Sequence, residues 1–379
     1  MLSLKTVRTI QTSLSGWYQK EKRDLPWRNT EDPYHILVSE FMLQQTQVKT
    51  VIPYYQRWIR SFPSPGKLAA ARESRVLKHW EGLGYYSRAR NLHRSAKLIK
   101  KDFQGKVPDS LEEILSLPGV GRYTAGAVLS IAFNKKMPVL DGNVKRVLAR
   151  LFCLEENGST KTSENRLWQT AENLIPEKNP GDFNQALMEL GATICLPKNP
   201  LCLLCPLNSI CEAKKEGAQE KFPPAKMKTP AKKIEVSAAV IFRNGKTYIQ
   251  QRPLKGLMGG LWEFPGGKIE KNESPEDCLK REIREELGIG IAIEKKIMTL
   301  KHTYTQFRVT LHVFLCAPAS AKIRTTSCDQ WKWVPVRDIN KYPFPAANVK
   351  IINYLLNNGL NGHKEPHSPR AKEKKKPKS

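Results

Sequence analysis

The sequence predicts a two-part chain, a mainly α N-terminal part followed by an α+β C-terminal part. Three observations predict it. Apolar residues recur at three- and four-residue spacing through residues 1–213, with Val144, Val147, Leu148, Leu151 and Phe152 forming one clear stripe. From Glu235 the pattern changes to short β-type runs, EVSAAVIF, TYIQQ and FRVTLHVFLC, with one helix at about Pro275 to Leu287. Between the two parts, residues 214–233 (KKEGAQEKFPPAKMKTPAKK) hold seven Lys and three Pro and almost no large apolar side chain, as a linker does. The second domain is expected over residues 234–358. Residues 359–379 form a basic tail, with no large apolar residue from 361 on to fold around, expected to be disordered.

The chain has 379 residues, 40% of them apolar, which suffices for sizeable cores. Lys and Arg number 63 against 36 Asp and Glu, a formal charge of +27. Because the excess extends well beyond the tail, it points to a polyanionic partner, nucleic acid before an anionic membrane surface. A basic surface that binds nothing specific is the bland alternative. No apolar run approaches the roughly 18 residues of a membrane span, and the N-terminus lacks a secretory apolar core. A cytosolic monomer is expected, associated with the nucleoid if the source is bacterial. In a reducing compartment the eight cysteines do not read as a disulfide framework.

The segment Leu111 to Phe133 (LEEILSLPGVGRYTAGAVLSIAF) places two amphipathic runs around Pro118-Gly119-Val120-Gly121. Pro ends the first helix, and the glycines allow a tight turn with bare backbone. The free N–H groups of the following helix then face outward, an arrangement suited to phosphate, with Gly119 and Gly121 at the contact. An ordinary helix–helix turn is the alternative. As a whole, LPGVGRYTA resembles the helix-hairpin-helix of the endonuclease III and MutY superfamily. The resemblance implies Tyr123 where the endonuclease III branch carries its nucleophilic Lys, and so base removal without strand cutting.

Cys195, Cys202, Cys205 and Cys211 follow C-x6-C-x2-C-x5-C. Four thiolates so spaced can wrap one metal centre, and spacing alone admits zinc as readily as iron. Together with the preceding hairpin, the spacing resembles the [4Fe–4S] loop of the same superfamily, which implies one such cluster, held by these four. Lys198 inside the loop suits phosphate contact. Cys153, Cys278, Cys316 and Cys328 are scattered and read as ordinary thiols.

Glu40 lies in DPYHILVSEFMLQQTQV, where Asp32 is a natural N-cap and Pro33 a natural first helical residue. Amid Ile36, Leu37, Val38, Phe41, Met42 and Leu43 an acid is partly desolvated and tends to hold its proton, which makes it a candidate general acid. The alternative is a solvated acid on a polar face. Asp141, in PVLDGNVKRVLARLF, suits an N-cap and can also project into a cleft. Cleaving an N-glycosidic bond needs one acid to protonate the base and one carboxylate to stabilise the sugar cation.

The segments VSEFMLQQTQV, LPGVGRYTAGAV, VLDGNVKRVL and ALMELGATIC, with the four cysteines, resemble the MutY adenine DNA glycosylase family over nearly all of residues 24–213. That resemblance implies a base excision repair enzyme acting on duplex DNA with adenine opposite 8-oxoguanine or guanine. It implies that Glu40 protonates adenine N7, that Asp141 stabilises the cation with Asn143 holding it, and that Tyr123 supports the sugar intermediate. Arg28 and Glu189 would line the adenine pocket. Gln45 and Tyr85 would enter the stack beside the lesion, since extruding a base costs a few kcal/mol.

Residues 267–289 fit the Nudix box, G-x5-E-x7-R-E-U-x-E-E-x-G-U, at every fixed position. Glu282, Glu285 and Glu286 fall on one helix face and can bind Mg²⁺, or be a solvated charged face. A Nudix-like domain also closes MutY proteins, where it reads 8-oxoguanine through an aromatic-Ser-His motif. The nearest match here is Tyr304-Thr305-Gln306, with Gln in place of His. Three rivals remain at this point: a magnesium-dependent nucleotide hydrolase, an endonuclease III-like glycosylase and lyase, and a non-catalytic DNA-binding protein.

Overall fold

In a computed structural model of the chain, the described residues are 3–154, 160–224, 232–256, 258–303, 307–320, 323–325, 328 and 330–359. They divide into two units, Met1–Lys228 and Thr229–Ser379. Tyr304, Thr305 and Gln306, the middle of the predicted linker and the basic tail lie outside the described residues. Among the described residues no helix is long and apolar enough to cross a membrane.

The first unit is helical: α1 (Leu4–Glu21), α2 (Pro33–Leu43), α3 (Val48–Ser61), α4 (Pro65–Ala69), α5 (Glu73–Trp80), α6 (Ser87–Asp102), α7 (Leu111–Leu115), α8 (Arg122–Phe133), α9 (Gly142–Leu151), α10 (Thr160–Leu174), α11 (Pro180–Thr193) and α12 (Glu212–Lys215). Asp32 caps α2 by accepting from the Tyr34 N–H at 2.8 Å, with Pro33 at the first position. Every residue from Ile36 to Met42 is buried, so α2 has no polar face. A helix that is apolar almost all round can only be a core helix. In α9 the stripe Val144, Val147, Leu148 and Leu151 is buried against Ile10, Leu14 and Tyr18 of α1 and Leu187 and Leu190 of α11.

The unit extends past the predicted linker start at Lys214. Lys214 and Lys215 belong to α12, and Gln219–Lys221 form a 3-10 turn. Ala213 and Ala218 are buried, and Arg150 of α9 donates to the Phe222 carbonyl at 2.9 Å. The Lys-rich composition hid two small residues that dock this segment.

The second unit is a six-stranded mixed sheet with strands β1 (Lys232–Arg243), β2 (Lys246–Gln251), β3 (Trp262–Glu263), β4 (Ile291–Thr303), β5 (Phe307–Pro318) and β6 (Gln330–Pro335). Its order is β3-β2-β1-β5-β4, with β6 also paired to β2; β1 and β5 run parallel. Helices cover both faces. Ala238, Val240 and Phe242 of β1 join a core with Ile351, Ile352 and Leu355 of α14 (Ala346–Asn357). The alternate residues Ala239 and Ile241 join Leu279, Ile283 and Leu287 of α13 (Pro275–Leu287). A strand buried on both faces reads as a continuous apolar run, which is why EVSAAVIF stood out. The single helix expected in this part is α13, at the predicted bounds; β3, β4, β6 and α14 are additional. Register shifts at Ile293/Lys295 and Lys296/Met298 interrupt the two-residue alternation of β4.

Candidate active site

Residues of α2, α8, α9 and α11 line one cavity of about 560 Å³ in the first unit. Arg28, Glu40, Gln45, Tyr123, Asp141, Asn143 and Glu189 all border it. These side chains come from segments spread over more than 160 positions, so only the fold brings them together.

Glu40 is buried at 4% exposure because its helix is buried all round. Its Oε2 atom has no hydrogen-bond partner. Burial pushes its pKa up to about 7; the Tyr123 hydroxyl works against the rise, and the nearby Asp141 charge adds to it. The solvated alternative is thereby excluded. Near neutral pH this acid holds a proton about half the time, the condition a general acid needs.

Asp141 both caps a helix and faces the cavity. It accepts from the Val144 N–H at 2.7 Å, starting α9, and from the Asn143 side-chain amide at 3.0 Å. Burial raises its pKa while these bonds oppose the rise, so its environment favours the ionised form more than that of Glu40 does. Asn143 is itself held: Arg146 donates to its Oδ1 at 3.0 Å. The same guanidinium donates to the carbonyls of Gly191 at 2.7 Å and Cys195 at 2.8 Å. Gly191 packs directly on this group; a Cβ added there would lie 2.6 Å from the Asn143 Cβ.

Glu189 borders the cavity as a clamped anion. Arg23 and Arg28 pair with it at 2.7 and 2.8 Å. Burial alone would push its carboxyl up, yet the bonds from Arg23 and Arg28 and the Arg28 charge bring it down to about 2. It is an acceptor at any physiological pH. The Tyr123 hydroxyl lies 3.4 Å from the Met188 sulfur, and burial pushes its pKa well above the ordinary tyrosine value, so it stays neutral.

The remaining predicted contacts lie at the surface. The turn before α8 has Gly119 at φ +81°, where a Cβ would also strike the Asn91 side chain at 2.8 Å. Gly121 caps α8 with no side-chain bond to its first turn, and nothing lies within 4 Å of a Cβ added there. The first turn is thus left open for an anion. Gln45 is an exposed residue at φ +55°, just past α2. Tyr85 is 43% exposed at φ +46°, between α5 and α6, and does not border the cavity.

Residues 38–173 match the family model of HhH-GPD superfamily base excision DNA repair proteins, and residues 237–354 match that of the NUDIX domain. The human adenine DNA glycosylase is 34% identical, covering 91% of this chain and 74% of its own length. That of Buchnera aphidicola from Acyrthosiphon pisum is 44% identical, covering 79% of this chain and 83% of its own. The chain belongs to the adenine DNA glycosylase family. A solved thermostable thymine-DNA glycosylase superposes on the helical part with a TM-score of 0.51 at 32% identity, covering 56% of this chain and 98% of that one.

In this family member the four cysteines of the C-x6-C-x2-C-x5-C run border one small cavity with Arg150 and Gln219. Arg150 is 3% exposed; it donates to the Cys195 sulfur at 3.4 Å and to the carbonyls of Leu196 at 2.6 Å and Pro197 at 2.9 Å. The Gln219 amide reaches the Cys202 sulfur at 3.7 Å. Donors aimed at sulfur suit thiolates carrying negative charge. Among the described residues no three His, Cys, Asp or Glu side chains are gathered for a single ion; the sulfurs border a space instead. In the second unit, Arg281 binds Glu273 at 2.8 Å, Glu282 at 3.0 Å and Glu285 at 3.2 Å. Glu286 accepts from Gln250 at 3.0 Å, and burial pushes its pKa up to about 7.

Sequence reasoning missed Arg23, Arg146 and Arg150. Their partners include carbonyls, a carboxylate and the Cys195 sulfur 45 to 166 positions away, which no local pattern encodes.

Proposed function

We propose that this chain is a base excision adenine DNA glycosylase that hydrolyses the N-glycosidic bond of adenine opposite 8-oxoguanine or guanine, without cutting the strand. One observation carries the reading: a buried carboxyl poised near pH 7 shares a cavity with a second carboxyl held by two hydrogen bonds. Glu40 gives its proton to N7 of the extruded base, which turns adenine into a neutral leaving group. Asp141 stays ionised beneath the cationic sugar, held there by Asn143 and Arg146, until water adds to the sugar carbon and releases a proton. The clamped Glu189 accepts from the adenine edge, with Arg28 beside it. Tyr123 offers a neutral hydroxyl and no amine, so no imine forms with the sugar and the strand stays intact.

Duplex DNA is the partner, and a monomer is sufficient for this chemistry. The helix-hairpin-helix turn with Gly119 and Gly121 takes a phosphate, and Gln45 and Tyr85 enter the stack. We assign Cys195, Cys202, Cys205 and Cys211 as holders of one [4Fe–4S] cluster, supported by four thiols around one space and side-chain donors on two of their sulfurs. Bound there, the cluster supplies a covalent cross-link that shapes a loop carrying Lys198. The domain after residue 233 is assigned the reading of 8-oxoguanine, with Tyr304 and Thr305 as its contacts.

A duplex containing 8-oxoguanine:adenine tests the reading. The expected result is adenine release, with strand breakage only after alkali. Breakage without alkali would return the lyase reading. Absence of release together with magnesium-dependent nucleotide hydrolysis would return the hydrolase.

A further inference from the structure

We infer that Arg88 is a positioning residue for base extrusion, one buried guanidinium that holds both surface turns carrying Gln45 and Tyr85. The inference rests on the glycosylase reading above, in which those two side chains enter the stack.

Arg88, the second residue of α6, is 7% exposed; its Nε has no partner, and its two Nη groups carry all of its hydrogen bonds. Its Nη1 donates to the carbonyls of Phe41 at 3.1 Å, Met42 at 2.9 Å and Gln44. Its Nη2 donates to the Thr46 hydroxyl at 3.0 Å and to the carbonyls of Leu83 at 3.2 Å and Gly84 at 3.1 Å. The first set lies at the end of α2, whose last carbonyls have no partner within the helix. The Glu40 and Leu43 carbonyls are taken by the N–H groups of Gln44 and Thr46, and Arg88 takes the two between them. Of the second set, Thr46 lies just past Gln45, and Leu83 and Gly84 form the turn before α6. The guanidinium carbon also lies 5.3 Å from the Trp80 ring centre and 5.4 Å from that of Tyr85.

Both clamped turns hold a non-glycine residue in the left-handed region, Gln45 at +55° and Tyr85 at +46°. L residues adopt that conformation only at a cost, and the bonds from Arg88 add to those within each turn, such as the Thr46 N–H to the Leu43 carbonyl. Arg88 bonds the residues on both sides of Gln45 and the two before Tyr85, and its planar fork spans both turns at once. A lysine ammonium is a single point and cannot. Burial brings the Arg88 pKa down to about 10, so it remains a cation at neutral pH. A wedge that must open a stacked duplex works only if its tips do not yield, and one side chain sets the spacing between them.

The test compares the full chain with its Arg88→Lys variant in single turnover, on 8-oxoguanine:adenine in an intact duplex and on the same pair flanked by mismatches that loosen the stack. The expected loss is tenfold or more on the intact duplex and under threefold on the loosened one. A 2-aminopurine placed at the adenine position should show a smaller fluorescence rise in the variant at saturating protein. In a Gln45→Ala, Tyr85→Ala background, adding Arg88→Lys should cost under threefold. Equal losses on both duplexes, or an unchanged 2-aminopurine rise, would overturn the inference and leave Arg88 a support for the fold. If Arg88→Lys does not fold, Thr46→Val serves. It removes the hydroxyl that accepts from the Arg88 Nη2 at 3.0 Å, beside Gln45. The same selective loss, about threefold, is expected; equal rates on both duplexes would overturn the inference. A wild-type chain inactive on both duplexes would instead defeat the glycosylase reading.

Discussion

Glu40 is held above its ordinary pKa by the helix that carries it, and both its activity and its cost to stability follow. Replacing it with Gln keeps the size and removes the transferable proton, so adenine release should fall by roughly a thousandfold while DNA binding persists. Single-turnover release alongside a binding titration checks this. The same variant should be the more stable protein at pH 8. The folded-state pKa of about 7 exceeds the ordinary glutamate value of 4.5, so stability is lost as pH rises through that window. The loss is on the order of 3 kcal/mol at pH 8. Thermal melts of Glu40→Gln should lie above wild type at pH 8 and merge with it at pH 4. The wild-type rate should fall about tenfold per pH unit above pH 7 as the acid loses its proton. A flat profile from pH 6.5 to 9 would place the acid elsewhere. The apolar neighbours of Glu40 made its burial legible, because they leave no polar face on the helix. The Arg146 and Arg88 anchors were not legible, since the long-range half of each guanidinium's bonds, to the Gly191 and Cys195 carbonyls and to the end of α2, leaves no local trace.

Helix α9 serves several tasks within three turns. Its cap is Asp141, its first turn presents Asn143, and Arg146 and Arg150 reach the cysteine loop. The apolar stripe that buries α9 was plain in the sequence, and so were the cap and the cysteine spacing. That the helix ties the two together was not, because the opposite face is written in arginines that composition reads as surface charge. Replacing Cys202 with Ser should lower iron content and visible absorbance, and weaken duplex binding more than it slows chemistry on bound substrate. Metal analysis with a salt-dependent binding titration reads both effects. Unchanged iron, or one zinc in the wild type, would count against the assignment. In the second domain the alternation rule found β1, whose apolar run is unbroken. It missed β4, where shifted register puts neighbouring residues out of step.

At the scale of the whole molecule, the cavity and the cysteine loop lie in the first unit, so that unit should contain the chemistry. A fragment ending at Lys228, which keeps α12 and the turn that receives Arg150, should still remove adenine. It should discriminate 8-oxoguanine:adenine from guanine:adenine about tenfold less well, because one or two lost bonds to a base edge are worth roughly 1–3 kcal/mol each. Single-turnover rates on both mispairs decide it, and an unchanged ratio would return the second domain to a tethered hydrolase. The division into a helical and an α+β part was legible because the apolar period changes; the true end of the first part was not, because two buried alanines do not show beside a segment with seven lysines. Gly191, pressed on Asn143 with no room for a methyl group, has a consequence for inheritance. Every amino-acid change that one base substitution can make in a glycine codon adds at least that methyl. A gene of a repair family thus has, beside the proposed reaction centre, a codon whose every missense neighbour forces Asn143 to shift.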